Sequence, residues 1–324
     1  MRKKRIICAL AAALFLGIAA GAMKGCTNAS PALLDGFETH LDTMMTSKNE
    51  LSRLDGAATG LCVIENEDEF SEDDIEAPAG ALFNITDQKT LYSKNANDER
   101  EIASITKIMT ALLAMKYADL NQEVTISYTP EELESSAVLC GFESGDKMLL
   151  SSLLSAALIY SGNDAAIDIA IAVSGSQEAF VNLMNQESEE LMTSHTHFAN
   201  PTGLTQSKHY SSVYDVYLMF QECLKYSTFR DIIARGSFVC YYTNAAGENV
   251  TKSFNSTNQY LVGAYTPPSG ITVVGGKTGH TNTAGYNLVL LAQDSHHKEY
   301  IAVILGAESK DELYNQMNTL LSKI

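Results

Sequence analysis

The sequence predicts an α+β domain whose antiparallel sheet is assembled from both ends of the chain and packed against helices. Three observations carry this. Of 324 residues, 45% are hydrophobic and only 19% charged, so there is apolar surface for a sizeable core. Strand-like apolar runs lie near Ala79 and again beyond Phe238, and segments with helical spacing fill the middle. Strands flanking a helical centre must meet in space to pair, which sends the chain out through helices and back into one sheet. The same composition excludes a disordered chain, a collagen-like repeat and a small disulfide scaffold. A net charge of -17 lacks the basic footprint that nucleic acid or an anionic membrane surface requires.

Along the chain, Met1 to Arg5 is a basic cluster and residues 6–23 are apolar or small, ending in Ala20-Gly21-Ala22. This pattern reads as an export signal over residues 1–22, cut after Ala22. The run also reaches the short limit of a membrane span, so an uncleaved anchor is a second reading. A lipid-bearing Cys26 is a third, with Met23-Lys24-Gly25 a poor match before it. Each version puts the bulk of the protein outside the cytoplasm. Residues 23–75 read as an acidic spacer, densest in acids over 65–76, with a weak helix around 41–54. From residue 76 to 324 the chain reads as compact. Residues 79–85 and 90–93 form a hairpin; 104–117, 151–160, 164–173, 177–192 and 213–224 have helical spacing; 238–242, 250–254, 271–274, 286–292 and 300–305 are strands; 311–322 closes the domain as a helix. No internal repeat is present. With Cys8 in the signal, the remaining cysteines, Cys26, Cys62, Cys140, Cys223 and Cys240, are odd in number and contain no C-x-x-C. Zinc and dithiol chemistry are therefore unsupported, and Cys223 with Cys240 is the one pairing suggested.

Three short motifs carry the chemistry. Ser104-Ile-Thr-Lys107 stands where a helix begins, and a spacing of three puts Ser104 and Lys107 on one face of its first turn. A hydroxyl is a weak nucleophile until a base removes its proton, and a lysine becomes that base when burial depresses its pKa. Alone, the pair is equally a helix cap beside a solvated lysine. Ser161-Gly-Asn163 lies between two apolar helical stretches and aims one hydroxyl and one amide at a shared cleft; alone, it is a turn. Gly276-Lys-Thr-Gly279 follows the apolar strand 271–274, where Lys277 and Thr278 suit a carboxylate and the glycines let a substrate backbone approach closely. A nucleotide-binding loop also ends in Gly-Lys-Thr, but its first glycine would fall on Ile271 and no helix pattern follows.

S-x-x-K, S-x-N and K-T-G in that order are the motif set of serine β-lactamases and penicillin-binding proteins. With Ala103-Ser-Ile-Thr-Lys-Ile-Met-Thr, Tyr160-Ser-Gly-Asn-Asp-Ala-Ala, Thr196-His-Phe-Ala-Asn-Pro-Thr-Gly-Leu204, His209-Tyr-Ser and Gly275-Gly-Lys-Thr-Gly-His-Thr, the chain resembles the D-alanyl-D-alanine carboxypeptidases among the low-molecular-mass penicillin-binding proteins. The resemblance runs from about Glu76 to the end and implies a β-lactamase/DD-peptidase-like fold with a helical subdomain. It also implies hydrolysis of the terminal D-alanine from peptidoglycan stem peptides through an acyl-enzyme that β-lactams would form as well. By that resemblance Ser104 attacks, Lys107 accepts its proton, Ser161 passes a proton to the leaving D-alanine, Asn163 holds the substrate amide, and Lys277 with Thr278 grips the terminal carboxylate. Gly279 flanks this grip, and the backbone N–H groups of Ser104 and His280 form the oxyanion hole. No cofactor or metal is expected.

Some features depart from the pattern. The chain ends soon after Gly279, so the extra C-terminal β-domain of some relatives is not expected, nor is attachment through a C-terminal amphipathic helix. Ser211-Ser-Val213 replaces the usual S-T-A. The stretch Phe198-Ala-Asn-Pro-Thr-Gly-Leu204 stands where a β-lactamase has a deacylating glutamate in E-x-x-L-N, so a β-lactamase is the lesser reading. A binding module that acylates without turnover is the alternative from another class. His195-x-His197 would place two imidazoles on one strand face, yet lacks a third ligand. His296-His297 reads as a solvated turn, Asp164 as a helix-dipole partner. Asn84-Ile-Thr and Asn249-Val-Thr match glycosylation acceptors, with little force in a wall enzyme.

Overall fold

The computed structural model describes residues 60–64, 70, 74–127 and 137–324. The signal or anchor, Cys26, the weak helix at 41–54 and most of the acidic spacer lie outside the described residues. Gly60–Ile324 forms one compact unit.

The strands are β1 (Ala79–Asn84), β2 (Lys89–Lys94), β3 (Glu123–Thr125), β4 (Lys147–Leu149), β5 (Ser237–Thr243), β6 (Asn249–Asn255), β7 (Thr272–Thr281), β8 (Gly285–Gln293) and β9 (Glu299–Ala307). The helices are α1 (Lys107–Tyr117), α2 (Leu150–Ser155), α3 (Asn163–Ser174), α4 (Gln177–Glu190), α5 (Val213–Cys223), α6 (Ser227–Ile233) and α7 (Lys310–Leu321). A 3-10 turn over Ala103–Thr106 leads into α1, and a π turn over Ala156–Tyr160 extends α2. The main sheet has the order β2-β1-β9-β8-β7 and is antiparallel throughout, so the N-terminal hairpin joins the three C-terminal strands. That is the sheet expected from the two ends of the chain.

Its central strands read as unbroken apolar runs because both faces are covered. Alternate residues point to opposite faces. Ala81, Phe83, Val289, Leu291, Ile301 and Val303 join the cluster of the central helices α1 to α5. Leu82, Leu288, Leu290, Ala302 and Ile304 join Leu313, Tyr314, Met317, Leu320 and Leu321 of α7. The closing helix is thus a core element. Ser309 caps it, its side chain accepting the Glu312 N–H, with Asp311 and Glu312 in the first turn.

Four details differ from the sequence reading. Strands 238–242 and 250–254 leave the main sheet and build a second one, in the order β3-β4-β5-β6. β7 runs on through Thr281, carrying Lys-Thr-Gly on a strand rather than after one. Cys62, Cys140, Cys223 and Cys240 are free and buried, so Cys223 and Cys240 are not bridged. The compact unit also reaches back into the stretch read as spacer. Cys62 is fully buried, its N–H donating to the Tyr217 hydroxyl at 2.8 Å, and Phe70 packs on Tyr92 with ring centroids 6.0 Å apart. The density of acids masked the apolar residues interleaved with them. No helix among the described residues is long and apolar enough to cross a membrane.

If α7 closes the core as described, Met317→Ala, at a fully buried site, should lower stability by about 2–5 kcal/mol in chemical denaturation. An unchanged midpoint would contradict the role given to this helix.

Candidate active site

Ser104 lies in the 3-10 turn and Lys107 is the first residue of α1, so the helical spacing becomes a contact: Lys107 Nζ lies 2.9 Å from Ser104 Oγ. Nζ also donates to Asn163 Oδ1 and to the Thr202 carbonyl, both at 2.8 Å. Lys107 is completely buried, and loss of hydration pushes its pKa down to about 7, against smaller opposing effects of Cys140 and Asp164. As an ammonium it gives one proton to each of three oxygens. As a neutral amine it keeps two of those bonds and turns its lone pair toward the serine hydroxyl.

Ser161 follows the π turn in a left-handed conformation, φ 71°. Its Oγ accepts from Lys277 Nζ at 2.9 Å, and Lys277 also donates to the Thr278 carbonyl at 2.6 Å. Lys277 is buried, and desolvation with Lys107 nearby holds its pKa well below the ordinary lysine value. Asn163 opens α3; besides Lys107, its Nδ2 donates to the Val138 carbonyl at 3.2 Å. Thr278 Oγ1 lies 2.6 Å from Thr257 Oγ1. The His280 ring packs tilted against Tyr286, with centroids 4.1 Å apart; burial first and Lys310 second lower its pKa.

The three motifs converge because β7, the edge strand, is pressed against the nucleophile turn. A Cβ on Gly279 would come within 2.7 Å of the Ile102 carbonyl oxygen and 3.0 Å of Ser104 N. The close approach that the glycine permits is therefore to the protein's own backbone, where the sequence suggested a substrate. Opposite, Gly203 has φ 85° and abuts the Ala103 carbonyl so tightly that a side chain would overlap it. Two clefts meet at Ser104. One, of about 520 Å³, passes Ser161, Thr257, Thr278 and His280 to Lys310 and Tyr314 of α7. The other, of about 310 Å³, passes Val138, Asn163, Gly203, Thr205 and Thr283. Among the described residues, no carboxylate lines either.

Sequence reasoning placed all eight named residues, Ser104, Lys107, Ser161, Asn163, Lys277, Thr278, Gly279 and His280, in one neighbourhood, and the structure brings them together. It missed three contributors. The Thr202 carbonyl reaches Lys107 through a backbone atom that no side-chain motif announces. Thr257 pairs with Thr278 from a segment without a signature. Asp164, read as a helix-dipole partner, accepts N–H bonds from Cys140 at 2.9 Å and Gly141 at 2.8 Å, and so ties the loop beside Val138 to α3. His195 and His197 do not form a metal cluster: no group of three His, Cys, Asp or Glu suited to a metal occurs among the described residues.

Comparison with known proteins agrees with this geometry. A profile of the D-alanyl-D-alanine carboxypeptidase family matches residues 66–309. The chain belongs to that family. Among related carboxypeptidases, DacF of Bacillus subtilis is 36% identical over 250 residues, 76% of this chain and 61% of the relative. DacA of Escherichia coli is 31% identical over 245 residues, 73% of this chain and 58% of the relative. The chain thus spans 58–61% of the length of these carboxypeptidases. The crystal structure of a Streptomyces DD-transpeptidase superposes with a TM-score of 0.71 at 27% identity, covering 77% of this chain and 97% of that one. The α+β fold of this carboxypeptidase-family chain is that of the DD-peptidases.

The Asp164 tie makes a testable demand. Asp164→Asn leaves an amide N–H facing that of Gly141, so stability should fall by about 1–3 kcal/mol and amide exchange at Cys140 and Gly141 should quicken. Unchanged exchange there would contradict the assignment.

Proposed function

We propose that this chain is a serine-type D-Ala-D-Ala carboxypeptidase acting on peptidoglycan stem peptides and acylated by β-lactams. The observation that carries the reading is a buried, depressed lysine hydrogen-bonded to a half-buried serine at the junction of two clefts. Neutral Lys107 takes the Ser104 proton as Oγ bonds to the carbonyl carbon of the D-Ala-D-Ala peptide bond. The C–N bond then breaks, and the departing amine receives a proton through Ser161, whose hydroxyl is linked to Lys277. Water cleaves the resulting ester and regenerates Ser104. With a β-lactam the same bond forms, but the broken amide stays tethered.

The two clefts divide the substrate. The larger takes the leaving D-alanine, its carboxylate at Thr278 and Lys277. The smaller takes the acyl-donor peptide, where the second Nδ2 proton of Asn163 is available to a substrate carbonyl. The backbone N–H groups of Ser104 and His280 serve the oxyanion, each worth about 3–4 kcal/mol of barrier, and the contact of Gly279 with the Ser104 turn supports this placement. The stretch Phe198-Ala-Asn-Pro-Thr-Gly-Leu204 carries no glutamate to match that of a β-lactamase, which favours the carboxypeptidase. In domain terms, we read residues 1–22 as export signal or membrane anchor, 23–75 as an acidic tether and 76–324 as the catalytic region. On that reading the compact unit begins inside the tether, and the enzyme works outside the cytoplasm at the cell wall.

The full chain should release free D-alanine from a peptide ending in D-Ala-D-Ala and form one penicillin adduct on Ser104. Ser104→Ala should lose both without unfolding, and Lys107→Ala should be nearly as severe because the pair acts as a unit. Normal turnover by Ser104→Ala would sink the assignment. An adduct without D-alanine release would make the chain a β-lactam sensor or wall-docking module.

A further inference from the structure

The nucleophile turn is held from a second direction by a buried imidazole that the proposed chemistry does not use. His209 is 4% exposed and meets the Phe198 ring edge-on, centroids 5.8 Å apart. Its Nδ1 accepts the Ala199 N–H at 3.0 Å, its Nε2 lies 2.7 Å from Thr106 Oγ1, and the Thr106 hydroxyl donates to the Ala103 carbonyl at 2.8 Å. A backbone N–H only donates and a carbonyl only accepts, so the direction of all three bonds is determined. Nδ1 is bare, Nε2 carries the proton, and the ring is neutral. A second proton would set two donors against each other at Ala199. Burial, with smaller electrostatic contributions from His197 and Lys107, pushes the imidazole pKa down to about 4, so the chain of bonds survives at ordinary pH.

Both ends of that chain matter to the site. Ala103 holds φ 48°, a left-handed conformation that persists in a non-glycine residue only when its surroundings over-determine it. The next residue is Ser104. At the other end, Ala199 begins the loop that delivers the Thr202 carbonyl to Lys107. Backbone pairing of His197 with Tyr210 closes the neck of this loop, and pairing of Ser211 with Arg100 ties it toward the nucleophile turn. The Thr110 hydroxyl, on α1, donates to the Pro201 carbonyl at 2.7 Å. His209 adds to these contacts a hydrogen-bonded link that ends at the nucleophile turn itself.

We propose that His209 is a positioning residue, which acts through Thr106 to fix the Ser104 turn against the Thr202 loop and so sets the Ser104–Lys107 geometry. The inference rests on the serine-acylation reading above. Cutting the chain of bonds then slows acylation and leaves ligand affinity nearly unchanged.

The test is single-turnover acylation of the full chain by a fluorescent penicillin, with rate constant and Kd resolved separately and thermal midpoints recorded. The variants are His209→Gln, His209→Met, Thr106→Val and the His209→Met/Thr106→Val pair. Glutamine offers an uncharged acceptor and donor; methionine fills the space with neither. His209→Met and Thr106→Val should each acylate about 10–100-fold more slowly with unchanged Kd while still folded at the assay temperature. His209→Gln should recover most of the rate, and the pair should be no slower than the slower single variant. Thr106→Val, which keeps the buried shape, carries the same expectation should His209→Met fail to fold. Nitrogen-15 spectra of the wild-type ring should show the neutral Nε2–H tautomer down to about pH 5. A wild-type rate in both His209→Met and Thr106→Val, a His209→Gln variant as slow as His209→Met, additive losses in the pair, or a charged ring at pH 6 would each overturn the proposal. A wild-type chain that forms no adduct would overturn the acylation reading instead, with the ring tautomer still deciding the bond chain.

Discussion

An ammonium group withdrawn from water loses hydration that a few protein oxygens only partly replace, and the organisation of this site depends on that shortfall at Lys107. The Nζ sits among three oxygens and is shut off from solvent. Three acceptors keep the charged form tolerable, but none of them is a carboxylate, so nothing nearby restores the full cost of desolvation. The result is a lysine poised near neutrality, where it can both take and return a proton. Lys277 faces the same constraint. It is fully buried, and desolvation with Lys107 nearby holds its pKa well below the ordinary lysine value, while its Nζ donates to the Ser161 hydroxyl.

The fold exists to hold that arrangement against its own electrostatic cost. Covering both faces of the main sheet buries the middle of the central strands and leaves β7 as an edge. The edge strand can approach the nucleophile turn only at a residue without a side chain, and Gly279 is that residue. From the opposite side the loop through Thr202 closes on the same turn, with Gly203 again at the point of closest approach. Asp164 braces the third wall by holding the backbone of Cys140 and Gly141. Lys252 braces the same wall from β6, donating to the Gly141 carbonyl. The turn is therefore held between the edge strand and the Thr202 loop, which is what a strained Ala103 requires.

Much of this was legible in the residues. Long periodic segments gave the helices now numbered α1 to α5 and α7, and continuous apolar runs gave β1, β8 and β9, because period and run length are direct records of which faces are buried. The π turn at Ala156–Tyr160 read as more helix, since its apolar composition continues unchanged while only the backbone widens. α6, β3 and β4 are too short to show a period, and the glycines of β7 disguised a strand as a loop. At the site, side-chain chemistry was readable from motif spacing, and backbone chemistry was not. Ser104, Lys107, Ser161, Asn163, Lys277 and Thr278 announce themselves by type, whereas the carbonyls of Thr202 and Val138 belong to residues that any sequence scan passes over. The apolar residues at 61–64, 70 and 75 were hidden by the acids around them, a case of composition outweighing position.

The most direct test of the account is the titration of Lys107 itself, followed by NMR of labelled lysine side chains in the full chain, with a Lys107→Arg sample to assign the signal. The account predicts a midpoint near 7, with the amine neutral above it, so that the rate of acylation rises through the same pH range and then levels off. A midpoint near the ordinary lysine value of 10.5, with acylation unaffected by pH around neutrality, would show that Lys107 is a charged structural group and that another base activates Ser104.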